Sequence, residues 1–436
     1  MARKLRASDN PRNERLIPEE RSDPRSPAQL DRDRILYSTS FARLAEVTQV
    51  VAAERGHVFH NRLTHSIKVG QLARRLAEKL LREQPEEATA LGGLDPDVAE
   101  AAGLAHDLGH PPFGHIAEDT LHKLVQEKGH LKDGFEGNAQ SFRIVAKLAV
   151  SDALSKRGGK TIEGLNLSRA TLNAILKYPW LYNRNPKKRN KWGAYDSERD
   201  VFNWVRRDQP FGTFVKSIEA ELMDWADDIT FAIHDLVDFF CAGQIPLERL
   251  GDEGGRAERE DFLDEVLSRN PELQGRRAAF EDAFGTIAEL FVIDRRYIGT
   301  ANQRRHIWQL STVLISRFAD AIRLQPGQQH SPVSIEQYAK DEIRVLKELT
   351  WHYVIVHHEL ATGQHGQQRM IAMLYTTLVD AAHSKPRWRL FPAAVQERLS
   401  DLDNSDAARV RVVTDYIASM TEKEATRQFR TLMGAS

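Results

Sequence analysis

The 436-residue chain has a single cysteine, Cys241, so no disulfide can form within it, which fits a reducing compartment. It has no excess charge of either sign. Lys and Arg number 61 against 62 Asp and Glu, a formal net charge of −1, and that balance argues against a global field drawing the protein to nucleic acid or a membrane surface. No apolar run approaches the roughly 18 residues that a membrane span needs. The opening MARKLRASDNPRNERLIPEERSDPRS lacks the apolar stretch of a secretory signal. These absences together point to a cytoplasmic protein. Strict apolar–polar alternation is also scarce, with GHVF at 56–59 the best short extended piece.

Helical periodicity takes its place. Leu63, Ile67, Leu72, Leu76 and Leu80 recur at helical spacing, as do Ile218, Leu222, Ala226, Ile229, Ile233 and Val237, and again Ile343, Leu346, Leu349, Tyr353 and Val356. A hydrophobic share of 41% is ample for a core. LGGLDPD (91–97) ends one helix and opens the next with a proline just inside it. HPPFGH (110–115) is a sharp break, YNRNPKKRNKWG (182–193) a basic loop, GDEGGRAERED (251–261) a charged loop, and RLQPGQQHSP (323–332) a linker or long turn. The chain therefore reads as all-α. Residues 1–33 are expected to be a poorly ordered polar segment, 34–322 the central helical domain, and 323–436 a helical extension packed on it.

One stretch stands out chemically. AHDLGHPPFGH (105–115) crowds His106, Asp107, His110 and His115 into eleven positions. Adjacent His and Asp at a helix end can both bind one ion, because the helix fixes them and the exit turn leaves coordination positions open. Further ligands must come from elsewhere, and His65 in NRLTHS and Asp227 in ADDITFAIHD lie on two other predicted helices. Two histidines and two aspartates suit Mn²⁺, Fe²⁺, Zn²⁺ or Mg²⁺ and leave room for water and phosphate oxygens. A lone His–Asp dipeptide is expected by chance in a chain of this length. The longer motifs carry the weight.

RILYSTSFARLAEVTQV (34–50), NRLTHS (61–66), LAHDLGHPPFGHIAE (104–118), FEGNAQ (135–140), LNLSRATLNAILKYPW (165–180), ADDITFAIHD (226–235) and DYIASMT (415–421) occur in that order. The chain resembles the HD-domain deoxynucleoside triphosphate triphosphohydrolases, the bacterial dGTPase-like family, with the vertebrate SAM-and-HD-domain dNTPase a more distant relative. The resemblance spans about residues 34 to 430. It implies an HD-type helical core and one catalytic divalent metal, Mn²⁺, Mg²⁺ or Fe²⁺, on His65, His106, Asp107 and Asp227. It implies hydrolysis of a dNTP to a deoxynucleoside and inorganic triphosphate, with His115 and Glu118 as the catalytic pair. It assigns Arg62 to the triphosphate, Lys177, Tyr178, Lys191 and Asn138 to the nucleotide pocket, and Gln49, Phe231 and Asp235 to the sugar.

The other neighbours get plainer expectations. Asp228 is read as a solvated carboxylate, His110 as shaping the site rather than binding the metal, and Lys187, Lys188 and Arg189 as a solvated loop. His57 and His60 face the entrance or the surface. Phe231 stands where the family commonly has Tyr, so discrimination against ribose is expected to rest on shape. A homo-oligomer, tetramer or hexamer, is implied, with an allosteric nucleotide or single-stranded DNA as additional ligands and RRYIGTANQRR (295–305) the basic segment for them. The alternatives are an HD-domain phosphomonoesterase or phosphodiesterase, and a nucleotide sensor with conditional activity.

Overall fold

A computed structural model describes residues 10–19, 23–49, 60–128, 130–150, 164–209, 213–327, 331–356, 358–402 and 405–434. GHVF and His57 lie outside them. The regular elements of the described residues are helices, apart from short strands Ile322–Leu324 and Val333–Ile335, paired antiparallel. The stretch read as a linker thus connects the two strands of a hairpin. No described helix is long and apolar enough to cross a membrane.

Three helices build the frame of the site. Arg62–Glu83 starts at Asn61, whose side chain accepts from the Thr64 amide. Its buried stripe is His65, Val69, Ala73, Leu76 and Leu80. Leu76 and Leu80 of the expected stripe are buried and Leu63 and Leu72 pack against the core, but Ile67 is exposed, because small residues mark the face that meets the neighbouring helix. That neighbour, Pro96–Ala105, is capped by Asp95 and opened by its proline, and almost every side chain after its first turn is buried. At the crossing, a Cβ on Gly103 would lie 2.6 Å from Gly70 Cα, so two glycines let the backbones touch. The contact brings His65 and His106 side by side. Ile218–Cys241, capped by Ser217, forms the third wall and carries Asp227 and Asp235 on one face.

The C-terminal region does more than extend this core. Gln337–Thr350 packs on Ile218–Cys241. His358–Ala382 and Asp406–Ala418 form a second core with His115–Glu127, joining Leu374, Leu378, Val413 and Ile417 to Leu121 and Val125. The helix opened by His115 therefore rests on the C-terminal region. The expected boundary at 323 falls inside a strand, and the one at 33 falls inside the helix Pro27–Leu36. Within the N-terminal segment, Arg15 binds Asp31 at 2.6 Å and Glu19 binds Arg34 at 2.8 Å. Paired charges hold residues 10–19 against the core even though the segment has few apolar side chains.

Candidate active site

His106 sits at the C-terminal end of Pro96–Ala105. Its Nδ1 lies 2.7 Å from the Gly103 carbonyl, so Nδ1 donates and the Nε2 lone pair points away, the tautomer of a metal ligand. Nε2 is buried and has no hydrogen-bond partner among the described residues. Ligand atoms of His65, His106 and Asp107 all lie within 4.8 Å of one another, close to the ~4 Å that opposite donors span on one ion. Asp227 Oδ1 adds a fourth donor, 2.9 Å from His65 Nε2 and 3.6 Å from His106 Nε2.

The electrostatics agree with a cation site. Burial alone would raise Asp107, yet His106, His110 and Arg62 hold it well below the usual carboxylate range. Asp227 is likewise held well below that range against burial, by Lys177 and His106. His106 is raised, because Asp107 and Asp227 outweigh burial. A place that draws a proton onto a buried imidazole draws a metal cation in its stead. Two imidazoles and two ionised carboxylates, with an orphaned nitrogen between them, fit a divalent metal.

Beyond His106 the chain turns hard. Phe113 and Gly114 both have positive φ, 68° and 58°, and the turn delivers His115 to the start of the helix His115–Glu127. A Cβ on Gly114 would come within 2.9 Å of Arg62 Nη2. A Cβ on Gly109 would meet Gly137 O at 2.1 Å and Ser141 N at 2.2 Å, so the loop lies on the first turn of Gly137–Arg143 only because glycine is there. Donor atoms of His110, His115 and Glu118 form a second cluster within 4.8 Å. His110 links the clusters, its Nδ1 3.0 Å from Asp107 Oδ1 and its Nε2 3.8 Å from Glu118 Oε2. Glu118 is buried, yet Lys191 and the nearby His110 and His115 pull it down to about 2. His115 is pushed down to about 4 by loss of surrounding water, then by His110, against the pull of Glu118. Its ring keeps an exposed edge and is neutral at pH 7.

Arg62 is the most telling side chain. Its Nη1 donates to Asp107 Oδ2 at 2.6 Å, while Nε and Nη2 are buried with no partner among the described residues. Unpaired buried N–H groups are costly, and here they lie between the metal cluster and the His115 turn, where an anion would satisfy them.

The remaining expected residues divide. Gln49 Oε1 and Asp235 Oδ2 are buried without partners among the described residues, and Asp235 is raised well above its ordinary value by burial and by Asp238. Phe231 is half-buried, with Lys347 Nζ 5.7 Å from its ring centre. Tyr178 packs on Trp180. Lys177 is already engaged, 2.7 Å from Asp227 and 2.9 Å from Asp224. Asn138 donates to Glu136 at 2.8 Å. His60, left open between the entrance and the surface, lies 2.7 Å from Asp238 and stacks on His234. Asp228, read as a solvated carboxylate, keeps a partly exposed side chain and is reached by Lys347 at 2.5 Å. In the basic loop Lys187, Lys188 and Arg189 are exposed.

Two family models match the chain, an HD domain over residues 62–231 and a phosphohydrolase-associated domain over residues 333–431. A deoxyguanosinetriphosphate triphosphohydrolase-like protein of Corynebacterium efficiens is 34% identical across 95% of this chain and 93% of its own length. One from Streptomyces coelicolor is 35% identical across 96% of each, and one from Shewanella sp. strain ANA-3 is 31% identical across 94% and 93%. The chain belongs to the deoxyguanosinetriphosphate triphosphohydrolase-like family. It is thus an HD-domain phosphohydrolase dependent on a divalent metal.

Within this family member, sequence reasoning missed Glu136 and the partnership of Lys191. Glu136 is buried, caps Gly137–Arg143 through the Ala139 amide, and shares Lys191 with Glu118, at 3.1 and 3.0 Å. The only cue was an acidic residue at a predicted helix start. Lys191→Met should let the Glu118 pKa rise. If Glu118 acts ionised, the acid limb of kcat/KM then moves up toward the ordinary carboxylate range, read from a profile carried down to about pH 2. The sign follows from the depressed carboxyl. Its stabilisation is present above the unfolded pKa and is lost as pH falls through the folded value, so the variant loses that stabilisation at higher pH than the parent.

Proposed function

We propose that the protein hydrolyses deoxynucleoside triphosphates to a deoxynucleoside and inorganic triphosphate, with one divalent metal (Mn²⁺, Mg²⁺ or Fe²⁺) held by His65, His106, Asp107 and Asp227. When bound, the metal supplies Lewis acidity to α-phosphate oxygens. The observation that carries the reading is Arg62: two buried, unpaired N–H groups beside a metal-competent cluster on one side and a His–Glu pair on the other. Phosphate oxygens satisfy that arrangement.

Water attacks the α-phosphorus and the bond to the 5′ oxygen breaks. The attacking water loses its proton to solvent. His115, neutral in the free protein, is drawn toward protonation by the incoming triphosphate anion and gives that proton to the departing oxygen. Glu118, ionised through Lys191, orients the ring. Gln49 and Asp235 have the unpaired oxygens a sugar hydroxyl requires, and Phe231 supplies a flat face without a phenolic hydroxyl. Restoring that hydroxyl with Phe231→Tyr is expected to change KM for dNTPs or the preference for deoxyribose over ribose by about tenfold, measured with paired dNTP and NTP substrates.

The test is product identity. Metal-loaded protein is incubated with each dNTP and NTP, singly and mixed, and the products are separated by ion exchange. Deoxynucleoside with intact triphosphate is the expected result. Mono- or diphosphate products assign the site to other HD-domain chemistry, and no product in any mixture favours a sensor. A homo-oligomer is part of the same reading. Exposed Trp308 and Val313 on the helix Ala301–Ala319, with Val292 and Ile298 before it, support a buried interface in an assembly.

A further inference from the structure

We infer that Glu422 is a positioning residue for His115, which makes the C-terminal helix Glu422–Leu432 a working part of the active site; this rests on the role given to His115 above. Glu422 stands in the first turn of that helix, 309 residues from Phe113 in sequence. Its Oε1 accepts from the Phe113 amide at 3.2 Å and from the Thr48 amide at 2.7 Å, and its Oε2 accepts from Thr48 Oγ1 at 2.9 Å. One carboxylate thus holds two segments. The first is the turn that delivers His115, and the second is the segment whose next residue is Gln49.

The turn needs a holder. Phe113 has a φ of 68°, a conformation disfavoured for any residue with a Cβ and kept only where surroundings impose it. A hydrogen bond from its amide to a carboxylate is among the stronger bonds available, and a carboxylate is well placed in the first turn of a helix. A second tie runs in parallel. Arg43 donates to the carbonyls of Leu108 and His110, each at 2.8 Å, and to that of Met420 at 3.1 Å. The HD loop is therefore fastened to the start of the C-terminal helix at both of its ends. Glu422 thus acts on the segments that carry His115 and Gln49, and its own hydrogen bonds go to Thr48 and Phe113 rather than to His65, His106, Asp107 or Asp227.

The test uses the full-length protein and three variants. Glu422→Ala removes the clamp. Glu422→Gln keeps an oxygen for the two amides and offers its NH₂ to the Thr48 hydroxyl. Glu424→Ala breaks the capping box with Thr421 and so weakens the same helix start without touching the loop. Expected for Glu422→Ala are a fall in kcat of about 30- to 100-fold, Mn²⁺ affinity within twofold of the parent, and loss of hydrogen-exchange protection in a peptide covering 108–118. Glu422→Gln should recover kcat to within about fivefold, and Glu424→Ala should leave kcat and the peptide near parental values. Unchanged exchange in Glu422→Ala, a Glu424→Ala defect of equal size, or no recovery with Gln overturns the proposal. Should the parent turn over no dNTP, the functional reading fails, while the exchange comparison still decides whether Glu422 holds the loop.

Discussion

Asp107→Ala is expected to have no measurable turnover, a loss exceeding about 10³-fold, together with loss of metal binding. Asp107 Oδ1 faces His106 at 3.4 Å and His110 at 3.0 Å, and Oδ2 binds Arg62 at 2.6 Å. Removing the carboxylate deletes a ligand and leaves Arg62 as a buried cation without its partner. Breaking such a pair costs about 3–5 kcal/mol, so the melting temperature should drop by several degrees while helix content at room temperature is retained. Calorimetric Mn²⁺ titration, circular dichroism and a turnover assay on one preparation check all three. Metal binding equal to the parent would remove Asp107 from the ligand set.

His115→Ala should lose about 10²- to 10⁴-fold in kcat and keep its metal and nucleotide affinities within a few-fold. The contrast with Asp107 follows from placement. His115 belongs to the second cluster, with His110 between it and the metal-competent group, and its exposed edge means that truncation leaves no buried charge. The expected signature is a collapse in kcat with KM nearly constant. Unchanged turnover would exclude His115 from proton transfer, and a parallel loss of Mn²⁺ affinity would place it among the ligands instead.

The contrast between these two residues mirrors what the sequence made legible. His106, Asp107, His110, His115 and Glu118 were legible because one helix end, one turn and one helix start present them within a short stretch. Joining His65 and Asp227 to them took longer motifs, and the structure shows the physical reason they meet: Gly70 against Gly103, a backbone-to-backbone crossing that no hydrophobic pattern announces. The same crossing explains why Ile67 is exposed while Leu76 and Leu80 of the expected stripe are buried, since the face that packs closest carries Gly70 and Ala73 rather than leucines.

Long-range ion pairs and hydrogen bonds were not legible. Lys191 with Glu118, Lys347 with Asp228 and Glu422 with Thr48 and Phe113 each join residues far apart in the chain. Among 61 basic and 62 acidic residues, no local spacing singles them out. Residues 323–436 accordingly read as an extension packed on the core, and they also support the His115–Glu127 helix and supply Lys347 and Glu422.

The account turns on which bond is broken, and hydrolysis in ¹⁸O-water shows this most directly. Products from a dNTP are collected after partial turnover and weighed by mass spectrometry. Attack of water at the α-phosphorus predicts one ¹⁸O in the inorganic triphosphate and none in the deoxynucleoside. Label in the deoxynucleoside would place the break between carbon and oxygen, and a deoxynucleoside mono- or diphosphate product would mean that water meets a different bond. Either result would contradict the account.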